Sequence, residues 1–154
     1  MIKTALMGMA LVPFLGACSM LNGMGMGGMG PLTFKHNATP ADPMATGVAT
    51  RIMSSGMLTT TLSLSGLTPN KAYASHYHAF GPASDTDPCA SNGPITQGFP
   101  PFSSDAEGKA TVSVTADPAK IAGDQGAYIN VHYADSLGTV PICAPVKMKK
   151  DSKS

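Results

Sequence analysis

The chain has no tryptophan, 6% aromatic residues and only 12% charged residues. Ten Lys and Arg stand against nine Asp and Glu, so no basic field exists of the kind that nucleic acid requires. The clustered positives, Lys147, Lys149, Lys150 and Lys153, sit at the C-terminus beside Asp151. Nucleic acid is excluded as a partner. Strong helix formers are scarce, whereas Ser, Thr, 17 Gly and 13 Pro run through the body of the chain. That composition predicts an all-β fold, and 154 residues suit one domain with flanks.

Long apolar runs are also lacking. The one near the start, Ala5 to Leu15 behind Lys3, is too short to span a bilayer and reads as the core of a signal peptide, residues 1–17. It ends in Leu15-Gly16-Ala17-Cys18, which resembles the bacterial lipobox, so Cys18 is expected to be lipidated after cleavage. Export to a bacterial cell envelope with membrane anchoring follows. Without residues 1–17 the positive and negative charges balance at nine each, a surface that does not steer anions over long distances. Residues 18–31 carry Met20, Met24, Met26 and Met29 among five glycines, a composition for a flexible tether. Its thioethers are soft ligands that favour Cu(I), although a plain spacer fits as well.

Cysteine is nearly absent. Setting Cys18 aside leaves Cys89 and Cys143, an even pair for which a disulfide is the default in an oxidising compartment. Two thiolate metal ligands are a poorer reading, because neither has a Cys or His nearby at ligand spacing.

From Leu32 onward the pattern has period two. Leu58, Leu62 and Leu64 alternate with Thr59, Thr61 and Ser63, and Ala110, Val112 and Val114 alternate with Thr111, Ser113 and Thr115. Asp117-Pro118 ends the second strand. Thr46 to Met53 and Leu32 to Ala38 are weaker strand candidates, and Ala83 to Phe102 reads as a long Pro- and Gly-rich loop. The whole predicts a sandwich of short strands over residues 32–148, followed by a charged tail, 149–154.

In Ala72-Tyr73-Ala74-Ser75-His76-Tyr77-His78, strand alternation places both His on one face and both Tyr on the other. Two imidazoles about 7 Å apart at Cα can converge on one metal. In Tyr128-Ile129-Asn130-Val131-His132, the apolar face takes Ile129 and Val131, and His132 shares the other with Asn130. A His-x-His on a strand is by itself more often surface than ligand.

These same residues carry a resemblance to the copper-zinc superoxide dismutase family. The Gly66-Leu67 turn, the His-x-His strand, the Phe80-Gly81 turn and Cys89 followed by Ser91-Asn92-Gly93-Pro94 are similar to that family's sequence. So is VHYADSLG from Val131 to Gly138, with Cys143 at the second disulfide position. The His-Tyr-His segment after Gly-Leu-Thr also resembles the chordin-type repeat domain. The first resemblance implies a Greek-key β-sandwich or flattened barrel, one copper ion held by His76, His78 and His132, and a Cys89–Cys143 disulfide. His36, Met44, Met53 and Met57 are candidates for a fourth, softer ligand. The departures are equally specific: no His lies between His78 and His132, which removes the family's bridging and zinc ligands, and Val140 stands where the active-site Arg is expected. Arg51, the only Arg, is elsewhere, while Lys35 and Lys71 are possible cations near a copper mouth. No zinc is expected. The resulting expectation is a copper-binding envelope lipoprotein for copper storage, delivery or tolerance, with a copper donor or acceptor protein as its partner. A weakly active copper-only superoxide dismutase is the alternative, and a metal-free binding module the third reading.

Overall fold

The computed structural model describes residues 30–37, 41–80, 89 and 93–150. The signal peptide, Cys18, most of the Met- and Gly-rich segment and residues 151–154 of the tail lie outside the described residues. Among the described residues ten strands and one short helix follow in order: β1 (Leu32–Thr33), β2 (Lys35–His36), β3 (Thr46–Ser54), β4 (Met57–Ser65), β5 (Ala72–Ala79), β6 (Ile95–Gly98), β7 (Phe102–Ser103), β8 (Ala110–Ala116), α1 (Pro118–Ile121), β9 (Ala127–Tyr133) and β10 (Ile142–Val146).

They form two antiparallel sheets, one ordered β1-β3-β4-β8 and the other β2-β10-β9-β5-β6, with β7 also on β5. The sheets close on each other because each strand has one apolar side. Leu58, Leu62 and Leu64 of β4 and Val112 of β8 face Tyr73 and Tyr77 of β5, Ile129 and Val131 of β9 and Ile142 of β10 in one buried core. The β3–β4 hairpin turns through Ser55 and Gly56, both at positive φ, which matches the twist of its flanking strands. Between β1 and β2 the chain steps from one sheet to the other, with Phe34 buried at the step.

One sequence expectation needs correction and a second holds with added detail. Ala83 to Phe102 is not strandless, because Ile95–Gly98 pairs with β5, a strand too short and too closely flanked by Pro94 and Pro100 to announce itself. Asp117-Pro118 does more than end β8: the Asp117 side chain accepts from the Ala119 N–H and Pro118 opens α1.

One end of the sandwich is closed by a buried carboxylate. Asp42, at φ +48°, accepts hydrogen bonds from the hydroxyls of Thr68, Tyr73 and, at 2.9 Å, Tyr133. Burial and then the neighbouring Asp42 push the Tyr73 phenol well above its ordinary range. Lys71 donates to Asp135 at 3.0 Å and lies 4.1 Å from the Tyr133 ring centroid. It is thus held as a local ion pair and cation–π partner, not as a free guiding charge.

Candidate metal centre

The site arises from strand parity and register together. β5 and β9 lie side by side with Ala74 opposite His132, His76 opposite Asn130 and His78 opposite Tyr128. Tyr73, Ser75 and Tyr77 turn into the core, so His76 and His78 turn out. Ile129 and Val131 do the same on β9 and send His132 to the same face. One pleat therefore brings together three imidazoles that stand 2 and 54 residues apart in sequence.

Their ring centroids are 5.8 Å (His76–His78), 5.3 Å (His76–His132) and 5.8 Å (His78–His132) apart. One nitrogen from each can be chosen so that all three lie within 4.8 Å of one another. His78 and His132 are buried, and His76 is partly exposed.

The hydrogen bonds decide which nitrogens are available. His78 Nδ1 lies 2.9 Å from the Gly93 carbonyl oxygen, and His132 Nδ1 lies 2.6 Å from that of Leu137. A carbonyl only accepts, so in each ring Nδ1 carries the hydrogen and Nε2 is left with a bare lone pair. Both Nε2 atoms are buried without a hydrogen-bond partner, and so is Nδ1 of His76. Buried polar atoms are normally paired. Three unpartnered buried ring nitrogens in one cluster, two of them bare lone pairs oriented by backbone carbonyls, could hold a metal ion, with the outer-shell hydrogen bonds to two of the rings already made.

Electrostatics agree. Burial lowers the His76 pKa, with a further push from His78. Burial also lowers His78, against the opposing Gly93 hydrogen bond, and takes His132 down to about 4. Near neutral pH the rings are therefore uncharged and able to ligate.

Tyr128 completes the pocket, and the sequence reading had missed its part. Its ring stacks on His78 at 4.9 Å and 6°, and its hydroxyl accepts from the Gly93 N–H at 3.0 Å while the Gly93 carbonyl accepts from the His78 Nδ1–H. The signal was present in the period of two that puts Tyr128, Asn130 and His132 on one face. Asn130 is buried opposite His76, and its Oδ1 has no hydrogen-bond partner.

The other sequence candidates fall elsewhere. His36 is in register with Ile142 and Val131, whose side chains enter the core, so it has the wrong parity for the cluster and lies exposed on an edge strand. Met53 and Met57 belong to the opposite sheet, and Met44 is 78% exposed just before it. None of the four joins the three His. Arg51 is buried on β3 in that opposite sheet and donates to the Gly30 carbonyl, so it does not replace the missing cation. Val140 is buried and apolar. Lys35 shares the His-bearing face, in register with Cys143 and, through it, Asn130. Cys89 and Cys143 form a disulfide with Cα atoms 5.4 Å apart, which ties the segment before Gly93 to β10, directly beside β9.

Comparison with known proteins agrees with this architecture. Among solved structures the chain is similar to a proline-to-histidine mutant of an SOD-like protein from Bacillus subtilis, at 14% identity and a TM-score of 0.50, covering 77% of this chain and 97% of that one. That likeness concerns the fold, an SOD-like β-sandwich. No curated protein matches. The sequence pattern of the CHRD domain matches residues 31–138, from β1 through the turn that holds His132, and on that match the chain belongs to the CHRD domain family.

Proposed function

We propose that the chain is a copper-binding module of the bacterial cell envelope, built on a superoxide dismutase-like sandwich and serving copper storage, delivery or tolerance. The observation that carries this reading is the cluster of three imidazoles, which can bring one nitrogen each within 4.8 Å of the others and each of which has a buried, unpartnered nitrogen, two of the rings being fixed by carbonyls. Three nitrogen ligands without a carboxylate suit copper. Each buried charge costs more as it grows, so the uncharged donor set supports Cu(I) over Cu(II). A bound copper would supply one-electron chemistry; the chain's own residues hold the rings neutral, aim them and keep bulk water from all but the His76 side. The lipobox-like Leu15 to Cys18 supports export and anchoring by a lipid on Cys18. No helix among the described residues is long and apolar enough to cross a membrane. A copper donor or acceptor protein is the partner such a role requires.

The test is metal content of the purified protein followed by Cu(I) and Cu(II) affinities in competition with chromophoric chelators. One tightly held copper per chain, lost with His132→Ala, is expected; an affinity unchanged by that substitution would sink the reading. The partial exposure of His76 favours one further reading, a slow copper-only superoxide dismutase, because a small oxygen species can reach that ring. Arg51 lies in the other sheet and Lys71 is paired with Asp135, so neither is free to orient an anion at the cluster. Superoxide decay by pulse radiolysis should therefore be well below the diffusional ceiling of about 10⁹ M⁻¹s⁻¹.

A further inference from the structure

The four sheet edges are not alike. β1 and β2 have two residues each and β6 has four, which leaves little backbone to pair. β8, the other edge of the first sheet, has seven residues, Ala110 to Ala116, and β7 comes near it without pairing. Among the described residues no strand pairs with its side away from β4, and no loop backbone hydrogen bond reaches it. It contains none of the usual edge protection: no Pro, no charged residue and no bulge against β4.

Its sequence reads the same in both directions, Ala-Thr-Val-Ser-Val-Thr-Ala, and is flanked by Lys109 and Asp117. An antiparallel pairing of two copies about a two-fold axis at Ser113 therefore sets Thr111 against the second copy's Thr115 and Val112 against its Val114. Both ends then bring a Lys109 to an Asp117. Parity places Thr111, Ser113 and Thr115 on the outer face, where Thr115 and Ser113 already bond Thr59 and Thr61 at 2.8 Å. Lys109 and Asp117 share that parity. On the inner face Val114 is only partly buried, unlike Val112, and a neighbouring strand would cover it.

We propose that β8 is a homodimerisation edge, on which a second copy of this chain adds its own β8 antiparallel and joins two four-stranded sheets into one of eight. Backbone hydrogen bonds supply the attachment, and the opposed Lys109 and Asp117 fix direction and register. The outcome does not depend on the metal reading, since the edge belongs to the sheet opposite the three His.

The test uses full-length protein in cells, oxidised with diamide and run on non-reducing gels. Ser113→Cys should yield a covalent dimer, because paired strands hold opposed Cα atoms about 4.5–5.5 Å apart, within disulfide reach. Thr111→Cys should cross-link to Thr115→Cys when the two are co-expressed, but not to itself. Thr61→Cys, one strand inward on the same face, should stay monomeric. A second measurement is sedimentation of the purified full chain: K109D and D117K should each weaken association about tenfold, and mixing the two should restore it. A monomeric Ser113→Cys, equal cross-linking at Thr61→Cys, or failure of the mixture to recover would overturn the proposal.

Discussion

β5 and β9 carry a buried polar cluster on each of their two faces, and the two clusters solve the cost of burial in opposite ways. On the core face Tyr73 and Tyr133 lie opposite each other and, with Thr68, donate to Asp42, so the carboxylate has three donors. One residue along, Ala74 pairs with His132, and the other face holds three imidazoles, each with a buried ring nitrogen that has no hydrogen-bond partner. A satisfied cluster stabilises a fold by itself. An unsatisfied one costs stability until something arrives to fill it, and that difference separates a structural knot from a site.

Asp42 is where the satisfied cluster is most vulnerable. Asp42→Ala would leave the Tyr73 hydroxyl buried without its acceptor, and charge-assisted hydrogen bonds are lost with it. A loss of roughly 3–4 kcal/mol in chemical denaturation is expected. Copper affinity of the folded fraction should not change, since the opposite face of the strands holds the rings. Appreciable loss of copper affinity in the folded protein would show that the clusters are coupled, contrary to the division drawn above.

His78→Ala should give the mirror image. Loss of a ligand should lower copper affinity by more than the roughly 10–100-fold typical of outer-shell partners, while His36→Ala does nothing measurable. Apo stability should fall by less than Asp42→Ala costs, because the ring removed brings an orphaned Nε2 with it. Chelator competition and urea melts on the same samples separate the two effects.

Acid should act on the His cluster through linkage. The folded pKa of His132 is held down to about 4, below its usual value near 6.5 when unfolded. Between those values the unfolded state binds the extra proton, so stability is fully present above about pH 6.5 and falls as the pH drops toward 4. His76 and His78 shift in the same direction and add to the slope. Metal-free protein should lose on the order of 2–3 kcal/mol over that window, and His132→Ala should flatten the curve. Copper should be released over the same range, since each proton competes for a ligand lone pair.

Much of this was legible in the sequence because it follows from period two. The alternation in Leu58 to Leu64 and Ala110 to Val114, the shared face of His76 and His78, and the pairing of His132 with Asn130 on an outward face all reappear in the strands. What alternation cannot supply is register between strands. Nothing in the chain itself put β5 beside β9, and only the family resemblance brought His132 to the other two. The fourth-ligand candidates failed for the same reason: His36 has the wrong parity through β10, and Met53 and Met57 sit in the other sheet. Short elements escaped because Ile95–Gly98 and Pro118–Ile121 are four residues each, below the length at which periodicity speaks.

The mildest change falls on Tyr128, which touches both a satisfied hydrogen bond and the unsatisfied His cluster. Tyr128 has its hydroxyl satisfied, by the Gly93 N–H, yet its ring lies flat on His78, a member of the unsatisfied set. Tyr128→Phe keeps the stacked ring and removes the hydroxyl that accepts from the Gly93 N–H. The lost hydrogen bond to Gly93 is a neutral one, which contributes about 1 kcal/mol. The consequence for the site runs through Gly93, whose carbonyl holds the His78 Nδ1 proton at 2.9 Å. Loosening that peptide lets His78 rotate and exchange tautomers, so copper affinity should fall by up to about tenfold, the low end of the range for outer-shell partners. The signature that distinguishes positioning from packing is nuclear magnetic resonance of the His78 ring in metal-free protein, where the Nδ1-protonated tautomer should give way to a mixture in Tyr128→Phe and be restored by no change elsewhere in the core. A single unchanged tautomer with unchanged affinity would reduce Tyr128 to a packing residue and shift the positioning of Gly93 to the disulfide between Cys89 and Cys143.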